Sequence, residues 1–271
     1  MTRKAIFITG GASGIGRATA ELFHAEGWLV GAYDVDEAKL ADLAASLGDG
    51  CVTGLLDVRD KEAFDTALAG FAEHSGGRLD VMFNNAGIAI GGYFDEVPFQ
   101  KIRDTVDINL MGVLNGIHGA IGLLRETPGS LCLTTCSSAA TFGTANMATY
   151  AATKFAVKGL TEALSVELAR FGSRASDISP GIIDTPLWQG ERFVKGEPGR
   201  NFANLPKANA ERTDASRTLG PEAVAACALE AYEGDRVHYY VPPEVVDRYR
   251  AGAEDPEALR DAAIEQHRPR S

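Results

Sequence analysis

The sequence is poor in cysteine and lacks a long uninterrupted apolar run. Its four cysteines are spread through apolar stretches of a 271-residue chain, which favours reduced thiols in a core over a disulfide framework. The apolar stretch before Thr9 is too short for a secretory signal, and no segment reaches the ~18 apolar residues that a membrane span needs. These features predict a cytoplasmic protein with no membrane partner.

Basic residues are outnumbered by acidic ones. The chain has 26 lysines and arginines against 37 acidic residues, for a formal charge of −11, and a field of that sign repels nucleic acid and anionic lipid. The hydrophobic share of 45% and the charged share of 23% are typical of a globular protein. We therefore expect one domain over residues 1–271, acting on a small molecule.

Metal-ligand and hydrolase patterns are also missing. The five histidines show no ligand spacing, and Cys132 and Cys136, four apart on a predicted strand, would lie ~13 Å apart, too far to share a zinc ion. The segment from Gly11 to Gly14 lacks the G-x-S-x-G spacing of a hydrolase. We predict no metal site and interpret Ser13 as a hydroxyl of a phosphate-binding loop.

The sequence does contain a regular alternation of short apolar runs and amphipathic segments. This alternation predicts a parallel sheet covered by helices on both faces, an α/β doubly wound fold of about seven strands. Strands are predicted over residues 5–8, 28–33, 51–56, 79–83, 130–135, 175–179 and 236–241. Helices are predicted over residues 17–26, 37–47, 61–73, 99–125, 149–171 and 221–233.

Three stretches depart from this alternation. The strand at 175–179 is more polar than a central strand usually is. Residues 186–220 are polar and rich in glycine, asparagine and proline, and because loops of this length are usually lids, binding loops or disordered segments, we interpret them as a substrate lid. Residues 244–271 form a charged tail with one predicted helix at about 258–266.

A glycine-rich turn joins the first strand to the first helix. Glycine lets the backbone turn sharply and approach a diphosphate, which then binds the free N–H groups at the helix N-terminus. The spacing differs from the strict dinucleotide fingerprint and from a triphosphate loop. A turn needed only for tight packing is the alternative. The candidate diphosphate site consists of Gly10, Ser13, Gly14, Ile15 and Gly16.

Asp34 ends the second strand, near the spacing from Gly16 at which an acidic residue meets the adenosine ribose. A carboxylate there accepts hydrogen bonds from both ribose hydroxyls and repels a 2′-phosphate, so it favours NAD over NADP. The alternative is a helix cap, although Asp36 is better placed for capping. Two further motifs follow strands at the sheet edge where ligands bind in α/β folds, namely Asp57-Val58 and Asn84-Asn85-Ala86-Gly87.

Tyr150 and Lys154 lie four residues apart at the start of a strongly periodic helix and therefore share one face. A free tyrosine titrates near ~10, and an ammonium ~4 Å away at an effective dielectric of ~20 contributes about 4 kcal/mol, an upper limit of roughly three pK units. We therefore expect the pKa of Tyr150 to be lowered, so that the phenol can give or take a proton. An ordinary surface pair is the alternative.

Two further positions support this pair. Ser137 and Ser138 follow the fifth strand, so that one hydroxyl could hold a substrate oxygen beside Tyr150. Asn109 is a poor helix former inside a long helical stretch, and a local kink there would free its carbonyl to bind water. A solvated helix face is the alternative for Asn109.

Taken together and in this order, the motifs resemble those of the short-chain dehydrogenase/reductase family. The resemblance covers about residues 4–186 by motif and extends by layout through 217–222 and the last strand. The residues that carry it are Thr9-Gly10-x-x-x-Gly14-Ile15-Gly16, Asp57-Val58, Asn84-Asn85-Ala86-Gly87, Asn109, Ser137, Tyr150-x-x-x-Lys154 and Pro180-Gly181-Ile182-Ile183-Asp184-Thr185.

The resemblance implies hydride transfer between a secondary alcohol or ketone and NAD. Tyr150 is then the general acid/base, and Lys154 lowers its pKa and binds the nicotinamide ribose. Ser137 orients the substrate oxygen, and Asn109 holds a water that links Lys154 to solvent. The implied cofactor-binding residues are Gly10, Ser13, Gly14, Ile15, Gly16, Asp34, Asp57, Val58, Asn85, Ala86, Gly87, Tyr150, Lys154, Pro180, Gly181, Ile183 and Thr185.

Apolar side chains flank the motif positions. They indicate an aryl, alicyclic or steroid-like substrate if they form a pocket, although each could equally belong to the core. Competing functions are NAD sensing without turnover and a lyase or epimerase that retains NAD. The resemblance also implies a homotetramer or homodimer built through the helix after Tyr150 and the helix around Asn109. The flanking residues are Tyr93, Phe94, Phe142, Met147, Leu187 and Trp188.

Overall fold

A sheet of seven parallel strands organises the chain. The computed structural model describes residues 3–194, 197–199 and 217–267. The strands lie in the order β7-β6-β5-β4-β1-β2-β3, and every neighbouring pair is parallel. The predicted α/β doubly wound fold is therefore confirmed. Along the chain, β1 to β7 are Ala5–Thr9, Leu29–Asp34, Cys51–Leu55, Val81–Asn84, Leu131–Thr135, Arg174–Pro180 and His238–Val241.

Helices cover both faces of this sheet. The helices are α1 Gly14–Ala25, α2 Glu37–Leu47, α3 Lys61–Ser75, α4 Phe99–Val106, α5 Gly112–Glu126, α6 Ala148–Ala169, α7 Pro221–Glu233, α8 Val245–Glu254 and α9 Pro256–His267. Side chains of α1, α2 and α7 share one core with the sheet, and side chains of α3, α5 and α6 share the other.

The strands are buried on both faces because successive side chains point in opposite directions. In β1, Phe7 packs in the core that contains α3 and α5, whereas Ile6 and Ile8 pack in the core that contains α1 and α7. The Phe7 ring stacks on Tyr33 of β2, with 4.2 Å between the ring centroids. Burial on both sides explains why β1 is a continuous apolar run.

The predicted helix at 99–125 is interrupted. Between α4 and α5, Asp107–Met111 form a π-helical turn with Asn109 at its centre. Such turns are rare and are found frequently at functional sites. The distortion that the sequence predicts at Asn109 is therefore present.

The same stretch is the one helix among the described residues that is long and apolar enough to cross a membrane by length and composition alone, namely Phe99–Glu126. In the fold, Val113, Ala120 and Leu124 of this stretch are buried in the core beside the sheet. Glycines and a few polar residues interrupt its apolar sequence, so it does not contain a long uninterrupted apolar run.

Strand β6 is central despite its polar sequence because its polar groups have partners inside the protein. Arg174 donates to the Tyr232 carbonyl oxygen over 2.7 Å. The fully buried Asp177 carboxylate lies 2.7 Å from Nδ1 of His238 on β7. Polar residues at these positions therefore join β6 to its neighbours instead of weakening it.

The predicted lid at 186–220 is described only in part, since residues 195–196 and 200–216 lie outside the described residues. At its start, Pro186–Gln189 form a 3₁₀ turn. Further on, Arg192–Val194 pair antiparallel with Glu197–Gly199. The interpretation of the whole segment as a lid stays a prediction.

The charged tail at 244–271 is more helical than the sequence predicts. Helix α9 includes the predicted helix at about 258–266, whereas α8 was not predicted from the sequence. Helix α8 packs closely on the chain after β5, since a Cβ on Gly252 would lie 2.9 Å from the Thr141 carbonyl oxygen. Residues 268–271 lie outside the described residues.

Candidate active site

A cavity of about 320 Å³ opens at the carboxyl ends of β1 to β5, where the strand order reverses. Ligands bind at this position in open α/β sheets. Most of the predicted cofactor-binding residues line the cavity. They are Gly10, Ser13, Gly14, Ile15, Asp34, Asp57, Val58, Asn85, Ala86, Gly87, Tyr150, Lys154 and Thr185.

Four of the predicted cofactor residues, Gly16, Pro180, Gly181 and Ile183, do not line this cavity. A Cβ on Gly16 would overlap the Gly10 carbonyl oxygen, so Gly16 allows α1 to approach the glycine turn. The Ile183 carbonyl oxygen accepts a 2.7 Å hydrogen bond from the Trp188 indole. Gly16 and Ile183 therefore support the residues that line the cavity without lining it themselves.

The glycine turn places the N-terminus of α1 at the cavity. Helix α1 begins at Gly14, whose φ of +52° suits glycine,. Ser13 precedes it and makes no side-chain capping hydrogen bond. Gly10 has no room for a side chain, since a Cβ there would lie 2.9 Å from the Ala86 Cα. The helix N-terminus therefore presents N–H groups and a partial positive charge, an arrangement that fits a diphosphate.

Hydrogen bonds of Asn85 join the ends of three strands. Thr9 Oγ1 accepts from the Asn85 and Ala86 N–H groups, at 3.0 and 3.1 Å. The Asn85 side chain donates to the carbonyl oxygens of Thr9 and Gly10 and accepts from the Thr135 hydroxyl over 3.0 Å. The Asn85 amide therefore holds the glycine turn, while the residue itself lines the cavity.

Asp34 reaches the cavity from the end of β2. One carboxylate oxygen accepts from the Ala12 N–H over 3.1 Å, and the other accepts from the Val35 N–H over 2.7 Å. Asp36 caps α2 by accepting from the Lys39 N–H. The capping alternative for Asp34 is therefore excluded, and its carboxylate is held at the cavity wall by backbone N–H groups.

Asp57 lies at the adjacent wall and is paired within its own loop. Its carboxylate accepts from the Arg59 guanidinium, with Nε 2.9 Å from Oδ1. The Arg59 side chain provides the dominant hydrogen bond that lowers the pKa of Asp57. Both side chains line the cavity, so this wall carries a neutralised ion pair.

Tyr150, Lys154 and Ser137 meet at the opposite end of the cavity. The Ser137 hydroxyl is close enough to the Tyr150 phenol to lower its pKa. Lys154 Nζ donates to the Thr135 carbonyl oxygen over 2.7 Å and lies 5.6 Å from the centroid of the Tyr150 ring. All three side chains are buried. Ser137 and not Ser138 is therefore the serine that reaches the phenol.

The pKa of Tyr150 is shifted in the opposite direction from the prediction. Burial raises the pKa of Tyr150 to about 12, against a smaller lowering by the Ser137 hydrogen bond. Burial also lowers the pKa of Lys154 to about 8. The prediction was wrong for this structure because it set an ammonium beside the phenol and neglected desolvation, which disfavours both charged forms.

Asn109 does not line the cavity but fixes one of its walls. Its fully buried side chain accepts from the Ile88 N–H over 2.8 Å and donates to the Ile88 carbonyl oxygen over 2.9 Å. Its amide also donates to Thr153 Oγ1 on α6 over 3.4 Å. Asn109 thus links the loop after β4 to the helix that carries Tyr150, and the solvated-face alternative is excluded.

Three of the apolar residues singled out from the sequence pack around Tyr150. Met147 belongs to the same buried cluster, and Leu187 and Trp188 pack against it. Tyr93 and Phe94 are largely exposed. An apolar surface therefore lies next to the phenol, as a substrate pocket would require.

Several cavity-lining residues were not found from the sequence, among them Val35, Arg59 and Ile88. Each lies within two residues of a motif at the carboxyl end of a strand. Loops that leave this edge face the ligand, so proximity to those motifs is the signal that could have identified them. Among the described ranges, no group of three or more histidine, cysteine or acidic side chains is arranged to hold a metal ion.

Comparison with known proteins finds a family match and similar proteins. The family model for short chain dehydrogenases matches residues 4–193. Levodione reductase of Leifsonia aquatica is 32% identical over 229 residues, covering 76% of this chain and 84% of that protein. L-2,3-butanediol dehydrogenase of Corynebacterium glutamicum is 35% identical over 211 residues, covering 73% of this chain and 81% of that protein.

A solved structure with the same fold contains NAD. It is a short chain dehydrogenase/reductase from Burkholderia phymatum in complex with NAD, which is 27% identical to this chain. The two superpose with a TM-score of 0.83, and the match covers 95% of each chain.

Replacing Thr9 by valine tests the hydrogen bonds at the strand ends. The change keeps the shape of the side chain but leaves two partly buried N–H groups without an acceptor. We expect the free energy of unfolding to fall by about 2–4 kcal/mol, measured by urea unfolding.

Thr66→Val is the matched control, because the Thr66 hydroxyl bonds to a carbonyl on an exposed helix surface; it is expected to change stability by less than about 0.5 kcal/mol. Thr9→Ser should retain most of the wild-type stability. Equal stability of Thr9→Val and the wild-type protein would contradict this account of the strand ends.

Proposed function

The chain belongs to the short-chain dehydrogenase family, whose members are oxidoreductases that use a nicotinamide cofactor, and on this premise we propose that it transfers hydride between a secondary alcohol or ketone and NAD. The observation that carries the proposal is the meeting of Tyr150, Ser137 and Lys154 at one end of a cavity whose other end is a glycine turn at a helix N-terminus. Binding alone needs no such buried proton-handling group.

The residues divide the proposed chemistry between them. In alcohol oxidation, Tyr150 Oη takes the hydroxyl proton of the substrate, and in ketone reduction it returns that proton. Ser137 holds the substrate oxygen by its hydroxyl, and Lys154 stabilises the phenolate by its ammonium charge. When bound, the nicotinamide supplies the hydride acceptor or donor.

In this proposal, the cofactor-binding site is formed by the glycine turn and two acidic residues. Gly10, Ser13 and Gly14 would hold the diphosphate. Asp34 would accept hydrogen bonds from the adenosine ribose and repel a 2′-phosphate, and the nearby Arg59 guanidinium is already engaged by Asp57. These features support NAD over NADP.

The substrate we propose is apolar near its reacting carbon. Met147, Leu187 and Trp188 surround the phenol with apolar surface. The names of the two relatives, a levodione reductase and a butanediol dehydrogenase, are consistent with ketone and secondary alcohol substrates.

We further propose that the chain forms one catalytic domain over residues 1–271 and that the segment 186–220 covers the substrate. The described structure shows all four cysteines as free thiols, which supports a cytoplasmic location.

Replacing Tyr150 by phenylalanine tests the catalytic proposal. NADH formation with a panel of secondary alcohols is expected to fall by about 10²–10⁴-fold, because the variant cannot accept the hydroxyl proton. NAD binding, measured by calorimetry, should change little.

Tyr232→Phe serves as the matched control, because the Tyr232 hydroxyl contacts Asp80. Asp80 directly precedes β4, at the edge of the sheet opposite the cavity. The variant should retain activity. If the wild-type protein binds NAD but converts no alcohol or ketone, the sensing alternative is supported instead. NAD retained through purification without net NADH formation would favour a lyase or epimerase.

Asp34→Asn tests the choice of cofactor. Loss of the carboxylate charge removes both a charge-assisted hydrogen bond and the repulsion of a 2′-phosphate, so the ratio of kcat/KM for NAD over NADP should fall by about tenfold to a hundredfold. Asp36→Asn, which changes the cap of α2 and the ion pair with Lys39, should leave the ratio unchanged. An unaltered ratio in Asp34→Asn would exclude the ribose role.

We also propose a homotetramer or homodimer formed through α4, α5 and α6. Large apolar side chains are exposed on α4 and α6, namely Phe99, Phe155 and Val166 at 73%, 45% and 76%, and Met111 is exposed at 44% directly before α5. Isolated apolar residues are common on surfaces, but several on neighbouring helices mark an interaction site. Sedimentation should give a multiple of the 28.7 kDa chain mass, and a mass equal to one chain would exclude the assembly.

A further inference from the structure

Polar side chains are buried where α6 packs on β6, outside the residues that line the cavity. Asp177 of β6 is fully buried. Its Oδ2 lies 2.7 Å from Nδ1 of His238, and its Oδ1 accepts from the Ser179 hydroxyl over 3.4 Å. A buried carboxylate is costly unless it is paired and hydrogen-bonded, and both conditions are met here.

This cluster adjoins the strand that holds Lys154. Thr134 of β5 is in register with Asp177, and the next residue, Thr135, accepts the hydrogen bond from Lys154 Nζ. Cys136 follows; its thiol donates to the Lys154 carbonyl oxygen over 3.4 Å and hydrogen-bonds with Ser179. The side-chain ammonium and the backbone carbonyl of Lys154 are therefore both hydrogen-bonded to residues that lie beside Asp177.

Lys154 is a buried ammonium, and its charge needs support. Burial lowers its pKa to about 8, whereas negative charge on Cys136 and, to a smaller extent, on Asp177 acts in the opposite direction and raises it. The neighbouring Cys136 thiol stays neutral near pH 7, because burial raises its pKa to about 11. Asp177 is thus the carboxylate among the described residues that acts on this ammonium.

His238 favours the ionised form of Asp177, whose net pKa is raised by burial. Burial alone raises the pKa of Asp177, and the hydrogen bond and charge of His238 oppose that rise. Burial is the largest effect on the pKa of His238 and lowers it, but the hydrogen bond and the charge of Asp177, together with the charge of Glu162, outweigh burial and the net shift is upward. The imidazole extends to the surface, where its Nε2 lies 3.2 Å from the half-exposed Glu162 carboxylate. Other titratable groups that face Asp177 are Lys158 on α6, Tyr240 on β7 and Cys136 after β5.

We infer that Asp177, held by His238, is a positioning residue that acts on Lys154 and keeps its ammonium charged at the alkaline end of the working range. The inference rests on the proposed function of Lys154 in stabilising the Tyr150 phenolate. It explains the polar sequence of a central strand, since an apolar residue at 177 would leave Lys154 without a nearby negative charge.

The test is the titration of Lys154 in the protein without cofactor. The ¹⁵N shift of Lys154 Nζ is followed against pH by NMR and assigned with Lys154→Arg. A lysine loses its charge as pH rises through its pKa, so removing a supporting carboxylate moves the loss to lower pH. We expect Asp177→Asn to lower the titration midpoint by roughly half to one pH unit. Asparagine can still accept from His238 and Ser179, so the fold should be retained.

Two further variants complete the test. Glu162→Gln is the matched control, because that carboxylate contacts the solvent side of His238 and should leave the Lys154 midpoint in place. If Asp177→Asn does not fold, His238→Gln gives the answer, because loss of the imidazole hydrogen bond favours the protonated form of Asp177 and should lower the Lys154 midpoint in the same direction. A midpoint equal to that of the wild-type protein in a folded Asp177→Asn or, failing that, His238→Gln variant would overturn the inference.

Activity provides a second, separate readout. The pH above which the rate of alcohol oxidation declines should shift downward in Asp177→Asn by the same amount as the Lys154 midpoint, whereas a purely structural role would lower the rate at all pH values without moving the profile. If the Lys154 midpoint shifts but no alcohol is oxidised by the wild-type protein, the proposed function fails while the electrostatic inference stands.

Discussion

The hydrogen bonds between Thr9 and Asn85 are the interaction on which the site depends. They bring the carboxyl ends of β1 and β4 together where the strand order reverses, and the Thr135 hydroxyl extends the connection to β5. The glycine turn follows Thr9 directly, so its backbone is held where the N-terminus of α1 meets the cavity. The same strand, β5, ends at the residues that fix Lys154 and Ser137. One set of hydrogen bonds thus sets the relative positions of the proposed cofactor and proton-transfer groups.

Burial is the second constraint, because it acts on both members of the proposed proton-transfer pair. It raises the pKa of Tyr150 and lowers that of Lys154, so the protein alone favours a neutral phenol and weakens the ammonium. Catalysis near neutral pH then requires compensating charge. Within the chain, Asp177 and His238 are placed to provide part of it, and a bound cationic nicotinamide would act on the phenol in the same direction as the ammonium.

The sequence was sufficient for the features that depend on local pattern. The parallel sheet follows from the alternation of segments, the cap of α2 from Asp36, and the helix distortion from an asparagine at 109. Features that depend on contacts between residues far apart in the chain could not be predicted from the sequence. The pKa of Tyr150 was misjudged because burial is a property of the fold, and the pair of Asp177 and His238 joins residues 61 apart in sequence. Polarity in β6 was noted, but its partner on β7 could not be inferred from either strand alone.

The most direct test of the central claim follows the hydride itself. A secondary alcohol carrying deuterium at the carbinol carbon is incubated with the protein and NAD, and the reduced cofactor is analysed by mass spectrometry. The account predicts deuterated NADH with the wild-type protein and none above background with Tyr150→Phe. NAD that binds in the cavity but never acquires deuterium, from any alcohol in a panel that includes alicyclic and aryl members, would contradict it.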